Sequence, residues 1–103
     1  MVIEYIRYTI PATTTEAFEE AYGQAAQVLE SHQHCLKCEV ARGIEEPEHF
    51  VARIEWDSVE GRGQGFRSSP HFREFFSAVQ PLLSQIQGMK HYAIGRTGGG
   101  AQR

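Results

Sequence analysis

Three sets of residues in this chain have the types and spacing to do chemistry. The first is Cys35 and Cys38, a Cys-x-x-Cys pair with His32 and His34 just ahead of it. A structural zinc site wants four converging ligands, usually from a second such pair, and this sequence holds only 2 cysteines. A thioredoxin-like pair sits at a helix N-terminus, where the dipole lowers the thiol pKa. The segment Cys35 to Ala41 instead alternates like a strand, and strand residues three apart point to opposite faces. Two ordinary cysteines with diverging sulfurs, and no metal, are the expectation. The second set is Gly61, Gly63 and Gly65, which spell Gly-x-Gly-x-Gly. No strand–turn–helix frame surrounds them, so a phosphate cradle is disfavoured. Backbone freedom for a lid beside a pocket is the better reading.

The third set centres on Trp56, which closes the run His49-Phe-Val-Ala-Arg-Ile-Glu-Trp56. Phe50, Ala52, Ile54 and Trp56 share one face of a period-two strand. A large aromatic at the end of such a face suits the floor of a small pocket, and equally suits a core filler. Phe50, Ala52, Ile54, Ile6, Phe66, Phe72 and Phe76 are the candidate substrate-lining residues beside Trp56, with core packing as the alternative for the apolar walls. Tyr8 lies on the helix-facing side of its strand, placed to donate a hydrogen bond to a substrate oxygen, or to pack with its hydroxyl at the rim. His91, between Met89 and Ala93 on one alternating face, is the candidate proton acceptor near neutral pH, against a structural or rim histidine. Glu4 shares a face with Ile6 and Tyr8; a buried carboxylate needs a partner, so it sits near an edge or is functionally poised. Arg62 and Arg67 carry charge that would attract an acidic or phenolate substrate, or simply face solvent. His71, in the first turn of a helix, reads as mouth or surface.

These residues need elements to hold them. Val2 to Ile10 is rich in β-branched and aromatic residues and reads as a strand ended by Pro11. Thr13-Thr-Thr-Glu16 has the spacing of a capping box ahead of a helix carrying Phe18, Tyr22, Ala25 and Leu29. Cys35–Ala41 and His49–Trp56 read as two further strands. Asp57-Ser-Val-Glu60 is a second capping-box spacing, opening a short helix. Ser69 and Pro70 start a long helical stripe from Phe72 to Ile86, divided at Gln80 by Pro81. Met89 to Ile94 is a fourth strand. The order is βαββαβ, an α+β, ferredoxin-like pattern: an antiparallel sheet with both helices on one face. Residues 2–95 form one domain and 96–103 a flexible tail.

Length, charge and hydropathy narrow the class. A chain of 103 residues buries only about 60–65% of its unfolded surface, so oligomerisation is a natural supplement. The net charge of −3 gives no basic footprint for nucleic acid. No apolar run is long enough to span a membrane, and Glu4 and Arg7 interrupt the place of a secretory block, so the cytoplasm is expected. The helix-free sheet face would carry Ile3, Tyr5, Arg7, Lys37, Glu39, Val51, Arg53, Glu55, Tyr92 and Ile94. That mixture suits burial against a second copy, a homodimer with opposite charges paired across the interface.

The element order, the junction Ile54-Glu-Trp56-Asp-Ser-Val-Glu60, and Phe66-Arg-Ser-Ser-Pro-His-Phe72 ahead of Phe75-Phe76 resemble the antibiotic biosynthesis monooxygenase superfamily. The resemblance runs from about Val2 to Ile94 and implies a dimeric α/β barrel with a pocket between sheet and helices. It implies an oxidoreductase that needs no metal or flavin, with molecular oxygen as co-substrate and a small aromatic or quinone-type substrate. Trp56 matches the pocket tryptophan of the phenol-oxidising members; their asparagine four residues earlier is Ala52 here. The haem-degrading branch uses an asparagine, a tryptophan and a histidine where this chain has Ile6, Phe66 and Phe76, which disfavours that activity. A non-catalytic small-molecule binding or interaction module on the same scaffold is the alternative.

Overall fold

A computed structural model describes residues 1–96 and 98; the expected tail at 96–103 lies largely outside the described residues. Four strands, β1 (Val2–Thr9), β2 (Cys35–Arg42), β3 (His49–Trp56) and β4 (Ile86–Ala93), form one sheet in the order β2-β3-β1-β4. Every neighbouring pair is antiparallel. Helices α1 (Thr15–Glu30) and α2 (Pro70–Val79) pack on each other and lie on one face. This is the ferredoxin-like α+β arrangement.

The alternation of β1 and β3 explains which face the helices cover. Phe50, Ala52, Ile54 and Trp56 are all buried, while Val51, Arg53 and Glu55 are only partly so. On β1, Val2, Glu4, Ile6 and Tyr8 are buried on that same side. α1 answers with Phe18, Tyr22, Ala25 and Leu29, the three- and four-residue spacing of one helical stripe. The rings of Tyr8, Phe18, Tyr22 and Phe50 pack edge-on or tilted at centroid separations of 4.6 to 5.9 Å.

Several local expectations are corrected. Thr13 does not cap α1. A 3-10 turn at Ala12–Thr14 follows Pro11, and the hydroxyls of Thr14 and Thr15 donate back to the carbonyls of Pro11 and Ala12. Asp57 does not cap the next helical turn either; the Ser58 hydroxyl accepts the Gly61 N–H at 2.8 Å. Asp57 is engaged instead by His34 Nδ1 at 2.7 Å. The expected division at Gln80 is present: α2 stops at Val79, and Gln80–Gln85 tightens into 3-10 geometry around Pro81. Ile86 therefore starts β4 rather than ending the helical stripe.

The two cysteines do not diverge. β2 is irregular between Cys35 and Lys37, so Cys35 pairs with Trp56 and Cys38 with Ile54. One extra residue in a strand reverses the alternation beyond it. Both free thiols thus face the helices and pack against the core, and burial pushes the Cys35 thiol up to about 11 and raises that of Cys38. Neither has the lowered pKa of a reactive thiol.

The glycine triplet also differs from expectation. Residues Gly61–Phe66 form one turn of π-helix, a geometry often found beside functional sites. No described glycine has positive φ. A Cβ on Gly61 would sit 2.2 Å from Asp57 Oδ1, and one on Gly65 would sit 2.3 Å from the His34 ring. These glycines let the backbone close onto the His34–Asp57 pair. Gly65→Ala should cost about 1–3 kcal/mol of stability through overpacking. Gly63→Ala, whose Cβ meets nothing within 4 Å, should be neutral or stabilising by about 0.4–1 kcal/mol. Urea denaturation of the two variants checks this; equal effects would show that the triplet serves flexibility rather than close approach.

Candidate active site

Between the sheet and α2 lies a cavity of about 210 Å³. Its floor comes from Ile6 and Tyr8 on β1 and from Ile54 and Trp56 on β3; Phe66, Phe72 and Phe76 form much of the opposite wall. A cavity of roughly 150 Å³ holds benzene, so this space takes one ring or a compact pair of rings. Phe66 organises the wall. Its ring lies 5.1 Å from Trp56, 5.6 Å from Phe72 and 5.6 Å from Phe75. Trp56 itself is 1% exposed, so the indole serves core and cavity together.

Two expected lining residues are placed elsewhere. Phe50 and Ala52 are buried but off the cavity. Ala52 sits opposite Ile6 in the β1–β3 register, while the Phe50 ring packs on Phe18. Lining residues that sequence reasoning did not select include Leu29, Phe75, Val79, Leu83 and Met89. Their apolar character matched plain core, so no signal separated them from it.

The polar side of the cavity is built on Glu4. This residue is 4% exposed; its carboxylate accepts hydrogen bonds from two other elements and lies within ion-pair distance of a third. The Trp56 indole Nε1–H donates to Oε1 at 3.1 Å. Arg62, in the π-helical turn, donates through Nε at 3.3 Å to Oε1 and through Nη2 at 3.1 Å to Oε2. His91 Nε2 stands 3.2 Å from Oε2. Register makes this possible: Glu4 is directly opposite Ile54 on one side and His91 on the other, with Trp56 two residues along. Diagonal neighbours on one sheet face are within reach of large side chains. Arg62 and Arg67 also line the cavity, Arg67 with its guanidinium 5.6 Å above the Phe72 ring.

Tyr8 lines the cavity, and burial pushes its phenol up to about 12, so it remains a hydrogen-bond donor at neutral pH. His91 is not among the lining residues; it touches the site through Glu4, with its side chain 37% exposed. Behind the Phe66 wall lies a histidine pair. His32 Nδ1 and His71 Nδ1 are 2.9 Å apart, and the buried His32 ring packs edge-on to Phe66 at 5.1 Å. Burial, then the neighbouring His71 and His34, lower the pKa of His32. Among the described residues no group of three or more His, Cys, Asp or Glu is arranged to hold a metal.

A helix-covered antiparallel sheet with an aromatic-walled cavity between its layers defines the class. The chain belongs to the antibiotic biosynthesis monooxygenase family, whose model matches residues 1–78. Among solved structures it is similar to SnoaB of Streptomyces nogalater, a cofactor-independent oxygenase, at 15% identity and a TM-score of 0.77 over 93% of this chain and 94% of that one. It is similar too to Rv0793 of Mycobacterium tuberculosis, at 11% identity and a TM-score of 0.77 over 95% and 98%. Among curated proteins it resembles the uncharacterized YczJ of Bacillus subtilis, 23% identical over 92 residues, covering 89% of this chain and 97% of YczJ. At these identities the structural likeness establishes the fold, and family membership adds a monooxygenase-like assignment in coarse terms. No helix among the described residues is long and apolar enough to cross a membrane.

The buried phenol yields a pH prediction. An ordinary tyrosine ionises near 10.0 and folded Tyr8 near 12, so between those values the unfolded chain loses this proton and the folded chain keeps it. Stability from this source is complete below about pH 10 and is lost as pH rises toward 12. The loss amounts to on the order of 2 kcal/mol. Denaturation midpoints measured from pH 8 to 12 should fall above pH 10, less steeply in Tyr8→Phe; identical profiles for the two proteins would contradict the assignment.

Proposed function

We propose that this protein is a monooxygenase acting on a small aromatic or quinone-type substrate with molecular oxygen as co-substrate and no metal or flavin. The observation that supports this reading most is the aromatic-walled cavity whose single tryptophan is fixed by a buried carboxylate. Triplet oxygen reacts slowly with paired-electron organic molecules until one electron is supplied. A phenolate supplies it, once a basic group has removed the proton and bulk water is excluded. One electron passes to oxygen, and the resulting phenoxyl and superoxide radicals join in a carbon–oxygen bond. The peroxide anion takes back the proton held by the base, and the hydroperoxide eliminates water, with the hydrogen of that ring carbon, to leave a carbonyl. Dioxygen is the oxidant, one of its atoms staying in the quinone and the other leaving as water.

In this reading Trp56, Ile54, Ile6, Phe66, Phe72 and Phe76 hold the ring, and Tyr8 donates to a substrate oxygen. Phe50 and Ala52 support that surface from behind. His91 acts through Glu4. The size of the cavity favours one- or two-ring hydroquinones over polycyclic substrates. Oxygen consumption with a panel of such hydroquinones should be saturable and should fall at least about tenfold in Trp56→Ala, a loss of about 1.4 kcal/mol in transition-state stabilisation. Saturable binding without oxygen uptake would replace this reading with the non-catalytic binding module, and a Soret shift on adding haem would favour haem degradation.

We also propose a homodimer through the helix-free sheet face. Tyr92 is half exposed there with its ring edge-on to Tyr5 at 5.5 Å. Four charged residues of this face pair within one chain: Lys37 with Glu39 at 2.7 Å, and Arg53 with both Glu55 and Glu39. Arg7 and Lys90 lie on the same face beside Tyr5 and Tyr92, cations that acidic groups of a second copy would meet across the interface. Sedimentation at micromolar concentration should return twice the chain mass; a single-chain mass would remove the dimer.

A further inference from the structure

The polar atoms of the cavity assign a proton route and, with it, a chemical requirement on the substrate. Among the described residues that line the cavity, Glu4 is the one carboxylate, and no histidine lines it. Tyr8 holds its proton too tightly to act as a base. Arg62 also lines the cavity and joins Glu4 through two nitrogens at 3.1 and 3.3 Å, a two-point guanidinium–carboxylate pair. Arg62 projects from a glycine-flanked π-helical turn, and its side chain keeps 21% of its exposure while Glu4 keeps 6%. The cation is therefore the member of the pair with room to change partner.

We propose that Glu4 accepts the proton of a bound phenolic O–H while Arg62 transfers its hydrogen bonds to the phenolate oxygen so formed. The inference rests on reading the cavity as a site for phenol-type substrates. In the step, the substrate O–H bond breaks with its electron pair left on oxygen, and a new O–H bond forms on the Glu4 carboxylate. A carboxylate–guanidinium pair becomes a phenolate–guanidinium pair, and the site's net charge does not change. That conservation matters because creating a new charge in an apolar, water-poor space is costly. The Glu4 carboxyl then donates to the phenolate, so neither group is left unpaired. The remaining titratable neighbours have fixed parts. His91 on β4 and the Trp56 indole keep Glu4 oriented through 3.2 and 3.1 Å contacts. The phenols of Tyr8 on β1 and Tyr22 on α1 stay protonated because both are raised by burial. The substrate must consequently carry an ionisable aromatic hydroxyl; an aryl ether or a hydrocarbon of the same shape binds without reacting.

4-Nitrophenol is a suitable probe, since it has one ring and its phenolate has a separate visible band. With excess wild-type protein, one pH unit below the free ligand's own midpoint, the bound ligand should show the phenolate band. Calorimetry in two buffers of different ionisation heat should count no proton released, because Glu4 keeps it. Glu4→Gln should show the band with one proton released per ligand. Arg62→Ala should lose the band and bind at least tenfold more weakly under conditions where the free ligand is ionised, with partial recovery in Arg62→Lys. A neutral-phenol spectrum for the wild-type complex, the same proton count in wild type and Glu4→Gln, or no binding of the probe would overturn the proposal. The wild-type spectrum and proton count need no variant, so the test survives if a substitution prevents folding. A phenolate band in a protein that consumes no oxygen with any hydroquinone overturns the oxygenase reading alone; oxygen uptake with a neutral bound phenol overturns the proton route alone.

Discussion

A carboxylate out of water is the constraint around which this molecule is arranged. Glu4 sits in the middle of the helix-facing side of β1, where an unpaired charge would be untenable. Its compensation comes from β3 through the Trp56 indole, from the π-helical turn through Arg62, and from β4 through His91. β4 is distant in sequence from the other two elements, and all three converge on the same two oxygens. The aromatic wall then closes over them through Phe66, which touches both the indole and the rings of α2. Electrostatics sets the floor of the cavity, and packing sets its roof.

A comparable logic explains the turn that carries Arg62. For its guanidinium to reach Glu4, the chain after β3 must fold back tightly. Gly61 and Gly65 permit this by pressing their backbone against His34, which Asp57 holds in place. The histidine beside the Cys-x-x-Cys pair and the glycines of the Gly-x-Gly-x-Gly run are parts of one close-packed joint. Neither had a partner within its own segment of sequence, and each found it in the other.

Much of the architecture was legible because strand and helix periodicities differ. The alternation Phe50, Ala52, Ile54, Trp56 announced the buried face of β3, and the spacing of Phe18, Tyr22, Ala25 and Leu29 announced that of α1. Within the candidate site, Trp56, Ile54, Ile6, Tyr8, Phe66, Phe72 and Phe76 could be selected as apolar or aromatic residues on those faces. What escaped were properties that depend on register and on single insertions. The irregularity after Cys35 cannot be seen in Cys-Leu-Lys-Cys, yet it reverses which way Cys38 points. Glu4 was recognisable as a carboxylate needing a partner, but its partners follow only from which residues of β3 and β4 lie opposite it. The caps failed for different reasons: Pro11 began a 3-10 turn before the threonines could serve, and Asp57 is held by His34.

The sequence holds a single tryptophan, and that one indole lies at the junction of floor, wall and charge. Its N–H rests on an ionised group, and its ring borders the space a guest would fill. The protein therefore carries an intrinsic fluorophore whose emission colour follows the local field. A change in occupancy or in the ionic arrangement beside it registers optically with no label attached and no other emitter of the same kind to obscure the signal.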